Sequence, residues 1–362
     1  MPIIASRALG RATLARQSLL ERVATGPTEM VTQLVGLQGQ DPDPPYIGLW
    51  NRLEGFRIED LQERLNDRTI VRATLFRGTQ HLVTAADYQW LHPVLRPMLE
   101  RWQRTSFGRA IPGVDAAELA ATAEALLRDK TVTRPELGRA LAEKWPQGEV
   151  VALARAVQGL VPVVHPPPDG LWRRHGPSHL RLAGDWIGYS GQPSAGADTL
   201  LVRYLAAFGP ASGRDLQAWS GLTRLREVVD GLRAELVSFT SAGGEELFDL
   251  PDAPRPGPDV PSPVRFLPPL DNVVLAHVDR SRFVEDRLRG RLVTDAPVLV
   301  DGLIRGFWKA KRQQNRVCLT VDAPGRFTSA EKELVVAEGE RLLGFTDPEA
   351  ESQAVELRLS RD

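Results

Sequence analysis

The residues best placed for chemistry lie in Leu34-Val35-Gly36-Leu37-Gln38-Gly39-Gln40-Asp41-Pro42, where two glutamines stand one residue apart beside an aspartate. Gly36 and Gly39 weaken a helix, Pro42 cannot continue one, and Asp41, preceding proline, is pushed toward extended geometry. Positions i and i+2 diverge by about 200° on a helix but share one face of an extended segment, so Gln38 and Gln40 are expected to project together. Each amide offers two donors and a carbonyl acceptor and has no titratable proton. That suits holding a water or a nucleobase edge rather than moving a proton. A polar helix exit would have the same sequence, so the meaning of Gln-Gly-Gln depends on its surroundings. Asp41 could be the functional carboxylate, although Pro42 is expected to turn it off the shared face.

The elements that must position these residues follow from hydrophobic spacing. Val31, Leu34, Val35 and Leu37 suit the buried face of a short helix over residues 30–37. Residues 5–24 predict an amphipathic helix with Arg7, Arg11, Arg16 and Arg22 toward solvent or a phosphate backbone. Helices through Leu49 and Leu53 and over residues 58–65 precede an alternating stretch, 70–83, with Gly78 placed for a hairpin turn. Helices followed by a hairpin make a winged helix, residues 1–110. The pattern recurs over 111–197: helices at 116–127, after Thr133 with Glu136 as its capping box, and at 150–160, then a hairpin whose loop holds Arg173, Arg174 and His175. As a wing tip, that loop would touch phosphates. A third winged-helix-like unit, 198–250, has a helix through Leu200 to Leu205, a Gly209-Pro210 break, Ser212 capping a helix over 213–219, and a last helix over 222–236.

Residues 251–263 are proline-rich and read as a stiff linker. Beyond them, 264–362 turns β-rich, with strands expected at 273–275, 296–300, 302–308 and 317–321 and a helix over 329–343. The last two strands are joined by residues 309–316 into a basic hairpin. Arg305, Lys309, Lys311, Arg312 and Arg316 fall between Gly302 and Thr320 with no acidic residue among them. With Phe307 and Trp308 at its base, this hairpin could enter a DNA groove. The expected class is α+β: tandem winged-helix domains followed by a C-terminal β-rich region with a basic hairpin.

Composition narrows the function classes. At 362 residues, 42% hydrophobic and 25% charged, the chain is an ordinary globular protein long enough for two or three small domains. It has no apolar run of the roughly 20 residues a membrane span needs and no secretory pattern before Arg7. The single cysteine, Cys318, fits a reducing compartment, so a cytoplasmic location is expected. A net charge of −1 means that nucleic-acid binding would need locally concentrated positive charge. No phosphate loop, dinucleotide fingerprint or paired cysteine ligands are present. His277 with Asp279 gives only two metal ligands, and Ser190 lacks the nucleophile-elbow pattern.

Further stretches recur in order along the chain: Arg77-Gly78-Thr79-Gln80-His81-Leu82-Val83, Phe208-Gly209-Pro210-Ala211 leading to Trp219-Ser220-Gly221, Leu267-Pro268-Pro269-Leu270-Asp271-Asn272, and Val300-Asp301-Gly302. With the Gln-Gly-Gln stretch, the chain resembles the AlkZ-like DNA glycosylases, a bacterial family of tandem winged-helix proteins. The resemblance implies that Gln38 and Gln40 are the catalytic Gln-X-Gln signature, whose second position is acidic in another branch of the family. It implies a monomer acting on double-stranded DNA that carries alkylated guanine, with Asp271 and Asn272 lining the site and no cofactor or metal. An N7-alkylated guanine is already a cationic leaving group, so the enzyme mainly needs a placed water, assigned to Gln40 with Gln38 assisting. The competing reading is a non-catalytic winged-helix DNA-binding regulator, which would not depend on the glutamines.

Overall fold

Alternation over residues 70–84 becomes an antiparallel hairpin, Ile70–Thr74 with Gln80–Thr84, turning where Gly78 takes a φ of 74°. In the computed structural model, which describes residues 1–192 and 194–360, this hairpin is the middle of a six-stranded sheet. On one side the short strand Leu37–Gln38 pairs antiparallel with Gln80–Thr84, Gln38 opposite His81. On the other side Ala73 meets Val164, and the order continues through Val163–Val164 and His179–Leu182 to Val132–Thr133. The Gln-Gly-Gln segment therefore hangs from the edge of a sheet to which residues 111–197 contribute the far half.

The helix before the motif is shorter than its spacing predicts. Pro27–Gln33 is capped by Leu34, and left-handed turns at Val35 (φ 55°) and Gly36 (φ 100°) swing the chain into the sheet. Gly36 lies so close to the hairpin that an added Cβ would stand 2.8 Å from Val83 and 2.9 Å from the Leu82 carbonyl, a close approach that only glycine permits. Ala116–Leu127, Arg134–Lys144 and Val150–Val157 pack around Leu119, Leu137, Leu141, Leu153 and Leu180, with Thr133 and Glu136 forming the expected capping box. The helix Ala85–Phe107, with Pro93 and Pro97 inside it, was not expected, and it joins the two halves of the sheet.

Ser212 caps Gly213–Ser220 as expected, but the last helix of this region is only Arg226–Leu232, because the chain then enters the strand Val237–Ser241. Phe76 packs on Trp219 at 4.3 Å between ring centroids, binding this region to the first hairpin. The C-terminal sheet runs Arg265–Phe266, Ala296–Val300, Leu303–Gln313, Arg316–Pro324 and Ser352–Ser360, the last pair parallel, with Ser329–Thr346 as the crossover helix. Its long strands reach Gln313 and Arg316, so Lys309, Lys311 and Arg312 sit on a strand rather than in a loop. Residues 273–275 are helical, not extended: the Asp271 side chain caps Asn272–Leu275 by accepting the Val273 N–H.

The N-terminal helix, Ser6–Arg16, leaves Arg7 exposed as expected but overturns the expected solvent-facing positions of Arg11 and Arg16. Arg11 and Arg16 are buried and ion-paired with Asp301 and Asp249, and their guanidinium Nε atoms donate to the Val260 and Pro254 carbonyls. Burying a guanidinium requires such partners, and here they fasten the proline-rich segment to the helix. That segment, 251–263, has no regular element. The mixed α+β class is borne out, and no helix among the described residues is long and apolar enough to cross a membrane.

Candidate active site

Arg72 is the lone charge in a strand whose residues are all buried. Its Nε donates to the Gly39 carbonyl at 2.8 Å, its Nη2 to the Gln40 carbonyl at 2.9 Å, and its Nη1 reaches Asp169 Oδ2 at 3.3 Å. Successive carbonyls of a regular strand point to opposite sides, so one guanidinium holding two of them means that the chain curls off the sheet at Gly39. Gln40 Oε1 accepts the Gln80 backbone N–H at 3.3 Å, which leaves the exposed amide NH2 and a second lone pair free. Gln80 is fixed in turn by a 3.2 Å contact between its Nε2 and His165 Nε2. His165 Nδ1 lies 2.8 Å from the His179 carbonyl and must donate there, so Nε2 is the bare nitrogen that accepts from Gln80. Burial, with Arg72 nearby, pushes His165 down to about 3, and the ring stays neutral. Asp169 is held by Arg72 and by the His179 ring (2.7 Å) and backbone N–H (3.0 Å).

These groups enclose a polar cavity of about 210 Å³ lined by Gln40, Asp41, Arg72, Gln80, Asp169 and three further arginines, Arg134, Arg155 and Arg174. Gln38 opens elsewhere, into a slit of about 10 Å³ between Pro44, Pro45, Gly48 and the 268–272 segment, room for about one water. The shared face expected of the two glutamines is thus not formed, because the curl at Gly39 breaks the strand alternation on which it depended. Pro42, for its part, does not turn Asp41 away, since Asp41 lines the same cavity as Gln40. Gln38 Oε1 is shielded from solvent and has no donor among the described residues. An acceptor left unmet in this way costs about 1–3 kcal/mol.

Asp271 and Asn272 both reach the motif, as supports. Asp271 is buried and bidentate to Arg52 at 2.8 and 2.9 Å, and Asn272 Nδ2 donates to the Gly36 carbonyl at 2.9 Å. One group among the described residues has metal-ligand types: Asp41, Asp43 and His175, with ligand atoms within 4.8 Å of one another. Asp43 Oδ1 already accepts the Arg173 N–H at 2.7 Å, and burial raises this carboxyl above its ordinary range. The group pins the 173–175 loop to the turn after Gln40. His277 is buried, bonded to the Phe208 carbonyl and driven neutral by burial, a structural residue.

A search of curated protein sequences finds no match. Among solved structures, the Streptomyces sahachiroi DNA glycosylase AlkZ superposes with a TM-score of 0.78 over 99% of this chain and 100% of that one, at 17% identity, which shows a common fold. The sequence model of the family described as DNA glycosylase AlkZ-like matches residues 31–345. The chain belongs to the AlkZ-like DNA glycosylase family. It is a DNA-repair enzyme, and its basic residues can be sorted on that footing.

Three of the seven cations expected to face DNA are already engaged within the glycosylase. Arg173 and Arg312 both bind Asp347, at 2.7 Å each, and Arg305 donates to the Arg326 carbonyl and lies 3.6 Å from Glu331. Arg174, Lys309, Lys311 and Arg316 have no ion-pair partner among the described residues. Asp347 therefore clamps the 173–175 loop to the hairpin. A cavity of about 600 Å³ lies at the hairpin base beside Phe307, Trp308 and Lys309, and shares Pro269 with the Gln38 slit. Sequence reasoning missed Arg72, Gln80, Asp169, Arg134 and Arg155. Arg72 carried a signal, a single charge in a strand of buried residues, whereas Asp169 reads locally as part of a Pro-Asp-Gly turn.

Proposed function

We propose that this glycosylase hydrolyses the N-glycosidic bond of cationic N7-alkylguanine in double-stranded DNA, releasing the base and leaving an abasic site. N7 alkylation places positive charge on the leaving group, so no general acid is required, and the sugar passes through an oxocarbenium-like state. Gln40 holds the attacking water, its carbonyl dipole facing the developing positive charge, and Gln38 assists from its own slit by fixing the sugar-phosphate rather than by sharing that water. A neutral amide cannot act as a general base at ordinary pH, so the catalysis is positional and electrostatic. The observation that carries this reading is the cavity at Gln40. It is polar, large enough for a water and part of a nucleotide, and built by a buried guanidinium that fixes the backbone of the motif. Among the described residues neither cavity at the glutamines has a lysine in its lining, which supports hydrolysis rather than attack by an amine.

The proposed substrate range extends to bulky genotoxin adducts and interstrand crosslinks, which share the cationic leaving group and place the enzyme in DNA repair or toxin self-resistance. The wide cavity at the hairpin base has room for the bulk of such an adduct. We assign the free cations Arg174, Lys309, Lys311 and Arg316 to the DNA backbone, and the chain to a monomeric arrangement with winged-helix units at 1–110, 111–197 and 198–250. The test is incubation of the purified protein with a duplex carrying one N7-methylguanine, followed by alkali. Free base and a single alkali-labile break are expected. Tight binding without release from methylated, bulky and crosslinked guanine alike would instead support a non-catalytic regulator.

A further inference from the structure

The polar cavity beside Gln40 carries more positive charge than its own carboxylates neutralise. Its lining brings together four arginines, Arg72, Arg134, Arg155 and Arg174, against two carboxylates, Asp41 and Asp169. Asp169 is taken up by Arg72 and His179, and Asp41 Oδ1 accepts the Asp43 N–H at 3.2 Å. Arg134, Arg155 and Arg174 have no ion-pair partner among the described residues. They come from three separate elements: the start of Arg134–Lys144, the last turn of Val150–Val157 and the loop before His179–Leu182. Arg134 is half-buried, and its guanidinium sits below the usual arginine range, first through desolvation and then through the like charge of Arg155. A solvated surface arginine would turn away from such a neighbour at little cost. The half-buried Arg134 is instead gathered with the exposed Arg155 and Arg174 around one cavity of about 210 Å³, an arrangement that an anion would relieve.

We infer that Arg134, Arg155 and Arg174 form a seat for a single DNA backbone phosphate flanking the target nucleotide, fixing the sugar against Gln40. This rests on the glycosylase reading and adds to it a division of labour: the 111–197 region holds the phosphate, and the 1–110 region presents the water. Guanidinium groups suit the task because their planar donor fork matches phosphate oxygens in bidentate geometry. A phosphate fixed beside the reacting sugar orients the anomeric carbon without touching the base, so the seat serves every N7-alkyl lesion equally.

The test uses the full chain and a labelled duplex with a 2′-fluoro N7-methylguanosine nucleotide, which slows cleavage during binding measurements. Single uncharged methylphosphonate linkages are placed in turn at the positions flanking the lesion. For the wild type, one flanking linkage should raise Kd about tenfold while more distant ones change it less than about twofold. The double variant Arg134→Gln/Arg155→Gln should bind the all-phosphate duplex about tenfold more weakly, and the sensitive linkage should then have no further effect. Arg155→Gln alone, at an exposed position that leaves the core untouched, should give a smaller loss and partial insensitivity. The inference is overturned if no flanking linkage matters to the wild type, or if linkage and arginine losses multiply independently. Base release from the ordinary deoxyribose lesion is read in parallel. Absence of release would remove the glycosylase reading, while the Kd ratios alone decide the phosphate seat.

Discussion

Replacing Arg72 by methionine tests how the Gln-Gly-Gln segment is held. The change removes donors from the Gly39 and Gln40 carbonyls and one partner from Asp169. Breaking a buried ion pair costs about 3–5 kcal/mol. Asp169 keeps the His179 ring and backbone N–H as partners, so the loss should fall near the lower end, about 3 kcal/mol. The effect on rate should be larger than stability alone explains. Without the fork, the backbone at Gly39 and Gln40 can relax toward a regular strand, and a displacement on the order of 1 Å at a reacting group costs about 100-fold. Arg72→Lys should recover part of the stability through its charge beside Asp169 but little of the rate, since an ammonium lacks the planar fork. Urea melts read the first quantity, with an unchanged m value, and single-turnover base release below the melting range reads the second. A methionine variant that loses stability yet excises within about twofold of wild type would refute the claim that Arg72 shapes the site.

Three further outcomes follow from the same contacts. His81 and His165 are pushed down to about 3 and His92 to about 4, in each case mainly by burial. Their folded pKa values lie below the unfolded value, so the unfolded chain binds more protons as acidity rises. Stability should be full above about pH 6.5 and fall by about 1.4 kcal/mol per pH unit for each histidine as pH drops toward 5, and urea midpoints that do not move would contradict this. Lys311→Ala, at a free cation, should weaken DNA binding and lower the salt slope by about 1 without changing the melt, whereas Arg312→Ala should loosen the Asp347 clamp and lower the melt. Asp271→Asn should destabilise the fold by about 3–5 kcal/mol, because it leaves the buried Arg52 guanidinium without a counter-charge. Base release at low temperature should persist in that variant, and its loss in a folded protein would make Asp271 a catalytic group.

What was legible in the sequence is what is local. Thr133 with Glu136, and Ser212 as a cap, announce helix starts, and Gly78 marks the hairpin turn; all three are present. The glycines and proline of the Gln-Gly-Gln segment announce that a helix ends nearby, although it ends earlier than expected, at Leu34, and Leu37–Gln38 is already a strand. The paths of the two glutamines beyond it were not legible, because they are set by Arg72 and Asp169, 32 and 97 residues away from their partners along the chain. Arg11 and Arg16 show the same limit. Their spacing suits a solvated face, and only Asp249 and Asp301, more than 200 residues on, draw them inside. Ala85–Phe107 was hidden by Pro93 and Pro97, which oppose a helix locally and are overridden by the burial of Leu91, Leu95 and Leu99.

The central claim is that Gln40 places the attacking water. Single-turnover release of N7-methylguanine by wild type, Gln40→Ala, Gln38→Ala and Asp41→Asn, each checked for an unchanged melt, tests it most directly. The account predicts a loss on the order of 100-fold for Gln40→Ala, a smaller loss for Gln38→Ala and near wild-type release for Asp41→Asn. Full activity in Gln40→Ala together with a collapse in Asp41→Asn would contradict it and make the neighbouring carboxylate the group that activates water.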